Sequence, residues 1–262
     1  MNDKLKQQVA KSLTAEDAEL LPFLPYLLQD LWELGSDPGE IAGLLKKHLP
    51  RAAKAKILDL CCGKGAVSVA LARELGAMVK GVDMMPEFLE YAREKAAEAG
   101  VGHLCEFELR DAKEAVKTER GYDCVVYGAA GDALGEPAVI PRKLRDTVKT
   151  GGLVVIAEGY LREGASNRDY KWQSYEIPDR ARYMEYFEAA GLELVEEIAH
   201  PSETEEDFYA SETAAMEARC RELAAKYPDK RGMFEKYIEA QRGEVDDITN
   251  RFVPATWVLR KL

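Results

Sequence analysis

The sequence predicts an α/β protein: a seven-stranded, mostly parallel sheet with helices on both faces, a helical cap before it and a helical insertion before the last strand. Three observations predict it. Short apolar runs alternate with helix-period segments across Lys56–Ala157, and that alternation is the mark of a parallel sheet covered on both faces. Ahead of it, Leu20, Leu24, Leu27, Leu28, Leu31 and Leu34 recur at helical spacing. A long acidic stretch with its own helical stripe separates the last two strand-like runs.

The elements follow in order. Ala18–Leu34 reads as a helix with a leucine face, ended by the turn residues Gly35-Ser36-Asp37-Pro38-Gly39. Ile41–Leu49 reads as a shorter helix, and residues 1–50 form the cap. Ile57–Cys61 reads as a buried strand, followed by Gly63-Lys64-Gly65 and an apolar helix, Ala66–Leu75. Met78–Asp83 is strand two. Pro86 stands at a favoured place for a helix start, and that helix runs to Ala99. Leu104–Leu109 and Asp123–Tyr127 are strands three and four. Pro137–Lys149 reads as a helix with Ile140, Leu144 and Val148 on one side, and Gly151-Gly152 then precede strand five, Leu153–Ala157. Arg180–Ala190 is a helix stopped by Gly191, and Leu192–Ala199 and Ala255–Arg260 are strands six and seven. Between them, residues 203–250 form the insertion. Tyr209, Thr213, Met216, Cys220, Leu223 and Tyr227 make one stripe, Pro228-Asp229 breaks it, and Phe234, Tyr237, Ile238 and Gln241 continue on a second helix. The expectation is a single domain over 1–262, with its core at 51–202 and 251–262.

The chain has 262 residues, 36 basic and 47 acidic, for a formal charge of −11. That balance argues against a nucleic-acid or anionic-membrane partner, since both favour a basic face. At 47% hydrophobic and 32% charged it is neither disordered nor fibrous. Five cysteines are too few, and odd in number, for a disulfide scaffold. The start, MNDKLKQQVAKSLT, shows no signal peptide, and no run approaches the ~18 apolar residues of a membrane span. A cytoplasmic monomer or homodimer is expected. Cys61-Cys62 lacks C-x-x-C spacing and the histidines His48, His103 and His200 are scattered, so no metal is expected.

The most informative segment is Ile57–Leu75, where a strand ends in a glycine turn and a helix begins. Glycine permits positive φ and lets a ligand approach bare backbone. The helix N-terminus offers unpaired N–H groups to a carboxylate or phosphate. Glycines at i and i+2 also serve tight turns that bind nothing. Asp83 ends the second strand twenty residues past Gly63. An acid at about that distance accepts from ribose hydroxyls in nucleotide-binding sheets, and its other reading is a helix cap.

This combination resembles the class I S-adenosylmethionine-dependent methyltransferases. Their first motif, an acid and a hydrophobic residue before Gly-x-Gly-x-Gly, stands here as Asp59-Leu60-Cys61-Cys62-Gly63-Lys64-Gly65, with Cys61 in place of the first glycine. Gly81-Val82-Asp83, Arg110-Asp111-Ala112, Tyr122-Asp123-Cys124-Val125-Val126 and Thr150-Gly151-Gly152-Leu153 match the later motifs in order, across Ile57–Ala157. The resemblance implies a Rossmann-like fold, S-adenosyl-L-methionine as cofactor, and methyl transfer to a small-molecule acceptor by in-line displacement. It implies that the backbone of Cys61, Cys62, Gly63 and Gly65 faces the methionine half, and that Asp59 organises that loop and reaches the amino group. Asp83 would take the ribose diol, Met84 would pack on adenine, and Asp111 with Ala112 would meet the adenine amino group. Tyr127, with Gly128, would border cofactor and substrate, and the other reading of Tyr127 is a core tyrosine.

A general base is needed only if the acceptor arrives protonated. Glu158, at the carboxyl end of strand five, is the candidate. Trp32 in the cap, with Tyr160 and Trp172 in the loop expected after strand five, are candidates for the substrate pocket, which the insertion would cover unless its apolar face serves as an oligomer interface. Two alternatives stay open: a non-catalytic adenosine-cofactor-binding protein, and an oxidoreductase using a dinucleotide. Against the second, Gly63-Lys64-Gly65-Ala66-Val67-Ser68 lacks the third glycine of Gly-x-Gly-x-x-Gly, and Asp59 would face a pyrophosphate with negative charge.

Overall fold

The computed structural model describes residues 3–167, 176–200 and 206–262. Its strands are β1 (Lys56–Leu60), β2 (Met78–Asp83), β3 (Cys105–Leu109), β4 (Tyr122–Gly128), β5 (Val148–Leu161), β6 (Leu192–Ala199) and β7 (Phe252–Lys261). Its helices are α1 (Asp3–Ser12), α2 (Leu24–Leu27), α3 (Pro38–His48), α4 (Ala66–Leu75), α5 (Pro86–Glu98), α6 (Ala112–Thr118), α7 (Ile140–Arg145), α8 (Arg180–Ala189), α9 (Glu206–Lys226) and α10 (Arg231–Arg251). The strands form one sheet in the order β3-β2-β1-β4-β5-β7-β6. Pairs β1–β2, β1–β4, β2–β3 and β4–β5 are parallel, and β6–β7 is antiparallel. The order reverses between β1 and β4, and such a switch point opens a crevice at the carboxyl ends of the strands. This is the expected seven-stranded, Rossmann-like architecture.

Two compact units divide the chain. The sheet unit is Glu33–Glu158, Pro178–Ala199 and Ala255–Leu262. The helical unit is Met1–Trp32, Gly159–Ile177 and His200–Pro254. The division falls inside the expected cap, after Trp32.

In the sheet unit, β1 and β4 are buried runs: Ile57, Leu58 and Leu60 are inaccessible, as are Cys124, Val125 and Tyr127. Each helix start has a local cause. Asp37 caps α3, accepting from Gly39 N at 2.8 Å and Glu40 N at 3.0 Å, and Pro38 takes the first helical position. Pro86 does the same for α5. Towards the far edge, Tyr183 and Phe187 of α8 pack their rings 4.9 Å and 5.4 Å from Trp257 of β7.

In the helical unit, α9 and α10 bury the stripe that the sequence marks. Thr213, Met216, Cys220, Leu223, Phe234 and Tyr237 are all buried. Phe23 stands edge-on to Tyr227 and Phe234, at 5.4 Å and 5.2 Å. Arg242 of α10 bonds Glu217 of α9 at 2.7 Å, and Arg219 bonds Asp30 at 2.6 Å.

Three expectations need correcting. Ala18–Leu34 is not one helix: Ala18–Phe23 is a 3-10 turn, α2 follows for four residues, and helix then stops. Pro22 and Pro25 remove backbone donors and crowd the preceding turn. The leucine spacing still reports burial, since Leu20, Leu24, Leu27 and Leu28 are all buried. Second, α7 ends at Arg145, and Val148 opens β5 instead of closing a helix. The β4–β5 register jumps from Tyr122↔Val148 to Cys124↔Leu153, so Lys149–Gly152 bulge out within the strand. Third, Tyr160 lies in β5 and not in a loop.

Candidate active site

Cys61, Gly63 and Gly65 all have positive φ, at 59°, 52° and 76°. Cys61 thus keeps the left-handed backbone of the glycine it replaces, which for a residue with a Cβ costs ~1–2 kcal/mol. The turn closes by Gly65 N donating to Cys62 O at 2.8 Å, and Gly65 becomes the N-cap of α4. A Cβ on Gly65 would lie 2.6 Å from Ala92 Cβ, so glycine is required there for space as well. Lys64 is buried, with its ammonium 4.9 Å from the Tyr91 ring centre. The four N–H groups of the first turn of α4 have no partner inside the helix.

Asp59 lies at 3% exposure and accepts from Ser68 Oγ of α4 at 2.6 Å. Burial, against the Ser68 bond and with the charge of Asp83, pushes its carboxyl up to about 7. Asp83 grips the turn directly. Its Oδ2 accepts from Gly63 N at 2.9 Å, and its Oδ1 accepts from Met84 N at 2.7 Å and Met85 N at 2.9 Å. Burial raises its pKa, and those three donors oppose the rise. Met84 is half-buried beside it.

Asp111 caps α6, accepting from Lys113 N at 2.8 Å. It is half-buried, and Ala112 is buried. Glu158, at the end of the sheet unit's part of β5, is half-buried. Its Oε1 accepts from Ala130 N at 3.1 Å and Gly131 N at 2.9 Å, in the turn after β4. Burial, with the charge of Asp132 added, pushes it up to about 7 against those two donors.

Burial, with the charges of Asp83, Asp59, Asp111 and Glu158 added, raises the Cys61 thiol well above its ordinary range. Those four acids belong to β2, β1, the start of α6 and β5. Tyr127 does not join them. It is fully buried, and its hydroxyl donates to Gly131 O at 2.8 Å and accepts from Leu134 N at 3.2 Å. It faces the core and fixes the turn that holds Glu158.

Trp32 and Tyr160 belong to the helical unit and are half-buried. Trp172, like Tyr170 and Tyr175, lies outside the described residues. Sequence reasoning missed Ser68. A serine inside the apolar helix Ala66–Leu75 was a usable signal for it. Among the described residues, no three His, Cys, Asp or Glu side chains gather as a metal site.

A family model described as a methyltransferase domain matches residues 52–191, just over half of the chain. The chain belongs to this methyltransferase family. The chain is 27% identical over 157 residues to the ubiquinone biosynthesis O-methyltransferase of Neisseria meningitidis, a match covering 54% of this chain and 65% of that protein. It is 26% identical over 172 residues to the demethylmenaquinone methyltransferase of Listeria monocytogenes, covering 55% and 72%. Its fold is similar to that of a SAM-dependent methyltransferase from Thiobacillus denitrificans solved with S-adenosyl-L-homocysteine. That likeness has a TM-score of 0.74 at 18% identity and covers 92% of this chain and 98% of that one.

Proposed function

We propose that this protein transfers a methyl group from S-adenosyl-L-methionine to a small-molecule acceptor by in-line displacement. The observation that carries the reading is the glycine turn after β1 gripped by the acid that ends β2, with Asp83 Oδ2 accepting from Gly63 N at 2.9 Å. The residues fit the cofactor chemically. A ligand with an ammonium and a sulfonium suits four acids, and its carboxylate suits unpaired N–H groups. The names of the two relatives, an O-methyltransferase of ubiquinone biosynthesis and a demethylmenaquinone methyltransferase, support a small acceptor. A cytoplasmic setting belongs to the same reading, and no helix among the described residues is long and apolar enough to cross a membrane.

The cofactor supplies an activated methyl group when bound. The chain supplies position and exclusion of water, the main needs of such a displacement. Asp83 carries two oxygens for the ribose diol, and the oxygen of Asp111 not spent on its cap faces the adenine amino group in this reading. Met84 and Ala112 pack beside the base. The backbone of Cys61, Cys62, Gly63 and Gly65 lies along the methionine half, and Asp59 holds that turn through Ser68. Glu158 takes the acceptor's proton where there is one. A carboxyl pushed up to about 7 is matched to that task near neutral pH.

Calorimetry with S-adenosyl-L-homocysteine tests the binding half. Asp83→Ala is expected to weaken it by about 1–3 kcal/mol, the range for leaving polar partners unmade. Labelled S-adenosyl-L-methionine with a panel of phenols, quinols and amines tests transfer. Preference for NAD over S-adenosyl-L-homocysteine would overturn the reading, and so would binding without transfer to any acceptor.

A further inference from the structure

The turn that follows β4 is organised by one buried hydroxyl, within the sheet unit. Tyr127 is fully buried, and its hydroxyl donates to Gly131 O at 2.8 Å and accepts from Leu134 N at 3.2 Å, which ties the two ends of the turn together. It also lies 3.4 Å from Ala130 O, the carbonyl of the peptide whose N–H belongs to Gly131. The backbone between is sharply bent. Ala129 and Gly131 have φ of 48° and 49°, with Ala130 between them at φ −105° and ψ 0°. A left-handed alanine is costly, and such a conformation persists only where its surroundings over-determine it. Ala129 N is fixed by donating to Ala157 O of β5 at 2.8 Å.

A right-handed residue followed by a left-handed one turns successive N–H groups to the same side, and the concavity binds anions. Here its occupant is Glu158. Ala130 N and Gly131 N both donate to Glu158 Oε1. Gly131 is therefore held twice, its N–H by Glu158 and its C=O by Tyr127. Burial and the charge of Asp132 in the same turn disfavour the ionised form of Glu158, and these two N–H groups favour it. The Cys61 thiol, in the glycine turn, feels the charge of Glu158 together with those of Asp83, Asp59 and Asp111. Whatever loosens the pair of N–H groups alters how firmly Glu158 holds a proton.

We propose that Tyr127 is a positioning residue for methyl transfer, its hydroxyl holding the turn after β4 in the shape whose two N–H groups keep Glu158 in place as the acceptor's base. This rests on the reading of Glu158 given above. Tyr127 touches neither cofactor nor acceptor in this arrangement. It acts through the turn, and the strained Ala129 is the conformation its hydroxyl helps to maintain.

The test titrates Glu158 by NMR in the empty protein labelled with carbon-13 glutamate, with Glu158→Gln identifying the signal. Wild type is expected to titrate near pH 7. Tyr127→Phe is expected to raise the midpoint by about half a unit or more, roughly a 3-fold gain in proton affinity, because loosened donors favour the ionised form less. Gly152→Ala, which crowds the opposite end of β5, is expected to leave it unchanged. A measurement on the unaltered protein stands apart from any variant: the Leu134 amide, which donates to Tyr127, should shift with the Glu158 midpoint. An unmoved midpoint in Tyr127→Phe, an equal rise in Gly152→Ala, or a Leu134 amide indifferent to the titration would each overturn the proposal and leave Glu158 as the base. Full transfer by Glu158→Gln, assayed with labelled S-adenosyl-L-methionine and the panel of phenols, quinols and amines, would instead overturn the reading of Glu158, and this proposal with it.

Discussion

Asp59 has a single hydroxyl partner, Ser68 Oγ, in a setting that otherwise penalises its charge. Folded, the carboxyl keeps its proton to about pH 7; unfolded, it releases it near pH 4. The folded state therefore binds more protons between those values, and stability falls as pH rises through that window. Glu158 acts in the same direction. Asp59→Asn removes one such charge, so its stability relative to wild type should grow from pH 5 to pH 8. Urea midpoints at the two pH values measure this, and a constant difference would place Asp59 in its ionised form throughout. The same groups predict that a cationic ligand drives proton release near pH 7, seen as binding heats that change with the ionisation enthalpy of the buffer. Space sets the constraint at Gly65. Gly65→Ala combines a positive φ with a 2.6 Å approach to Ala92 Cβ, and is expected to cost about 2–4 kcal/mol in chemical denaturation.

Elements were legible in the sequence wherever one local signal ruled. The run Ile57–Leu75 declared strand, turn and helix, because apolar strand, glycine pair and apolar helix all point the same way. The two insertion helices were equally plain from their stripe. Ala18–Leu34 misled because leucine spacing outweighed Pro22 and Pro25, although two prolines three apart forbid a continuous ladder. Of the proposed site, motif and spacing single out the glycine turn, Asp83 and Asp111, and the structure ties two of them by the bond from Gly63 N to Asp83. Tyr127 reads equally as a site border or a core residue: a tyrosine at a strand end looks the same in sequence whether its hydroxyl meets a ligand or, as here, the turn at Gly131–Leu134. Gly151-Gly152 marked a turn, and the pairing register places it as a bulge inside β5. The two glycines should differ on substitution. Gly151 faces open space at φ +76°, while a Cβ on Gly152 would lie 2.9 Å from Lys149 O and 3.1 Å from Asp123 O. Gly151→Ala is expected to cost ~1 kcal/mol from backbone strain and Gly152→Ala about 1–3 kcal/mol from overpacking. The two are separable because added positive-φ tolerance, as in Gly151→Asn, rescues only the first.

At the scale of the molecule, the division into units sorts the proposed functions. Every residue proposed to hold the cofactor lies in the sheet unit, from Asp59 through Gly65 to Asp83, Met84, Asp111 and Ala112. Their hydrogen bonds are also internal to that unit, as with Ser68 to Asp59 and Gly63 to Asp83. The helical unit has its own core around Phe234, Tyr237 and Leu223, and its own ion pairs at Arg219 and Arg242. A ligand stabilises what it touches, and segments with separate contacts open with separate free energies. Hydrogen exchange in the intact protein, with and without S-adenosyl-L-homocysteine, reads this segment by segment. The ligand is expected to slow exchange strongly at Asp59–Val69, Asp83–Leu89 and Asp111–Val116, and only weakly along α9 and α10. Slowing along α9 and α10 as large as at the glycine turn would show that cofactor binding is not the work of the sheet unit alone. A second arm with a methyl acceptor added separates the roles further. If the helical unit serves acceptor choice, as Trp32 and Tyr160 were expected to, protection in α9 and α10 should appear when the acceptor binds and be absent with the cofactor product alone.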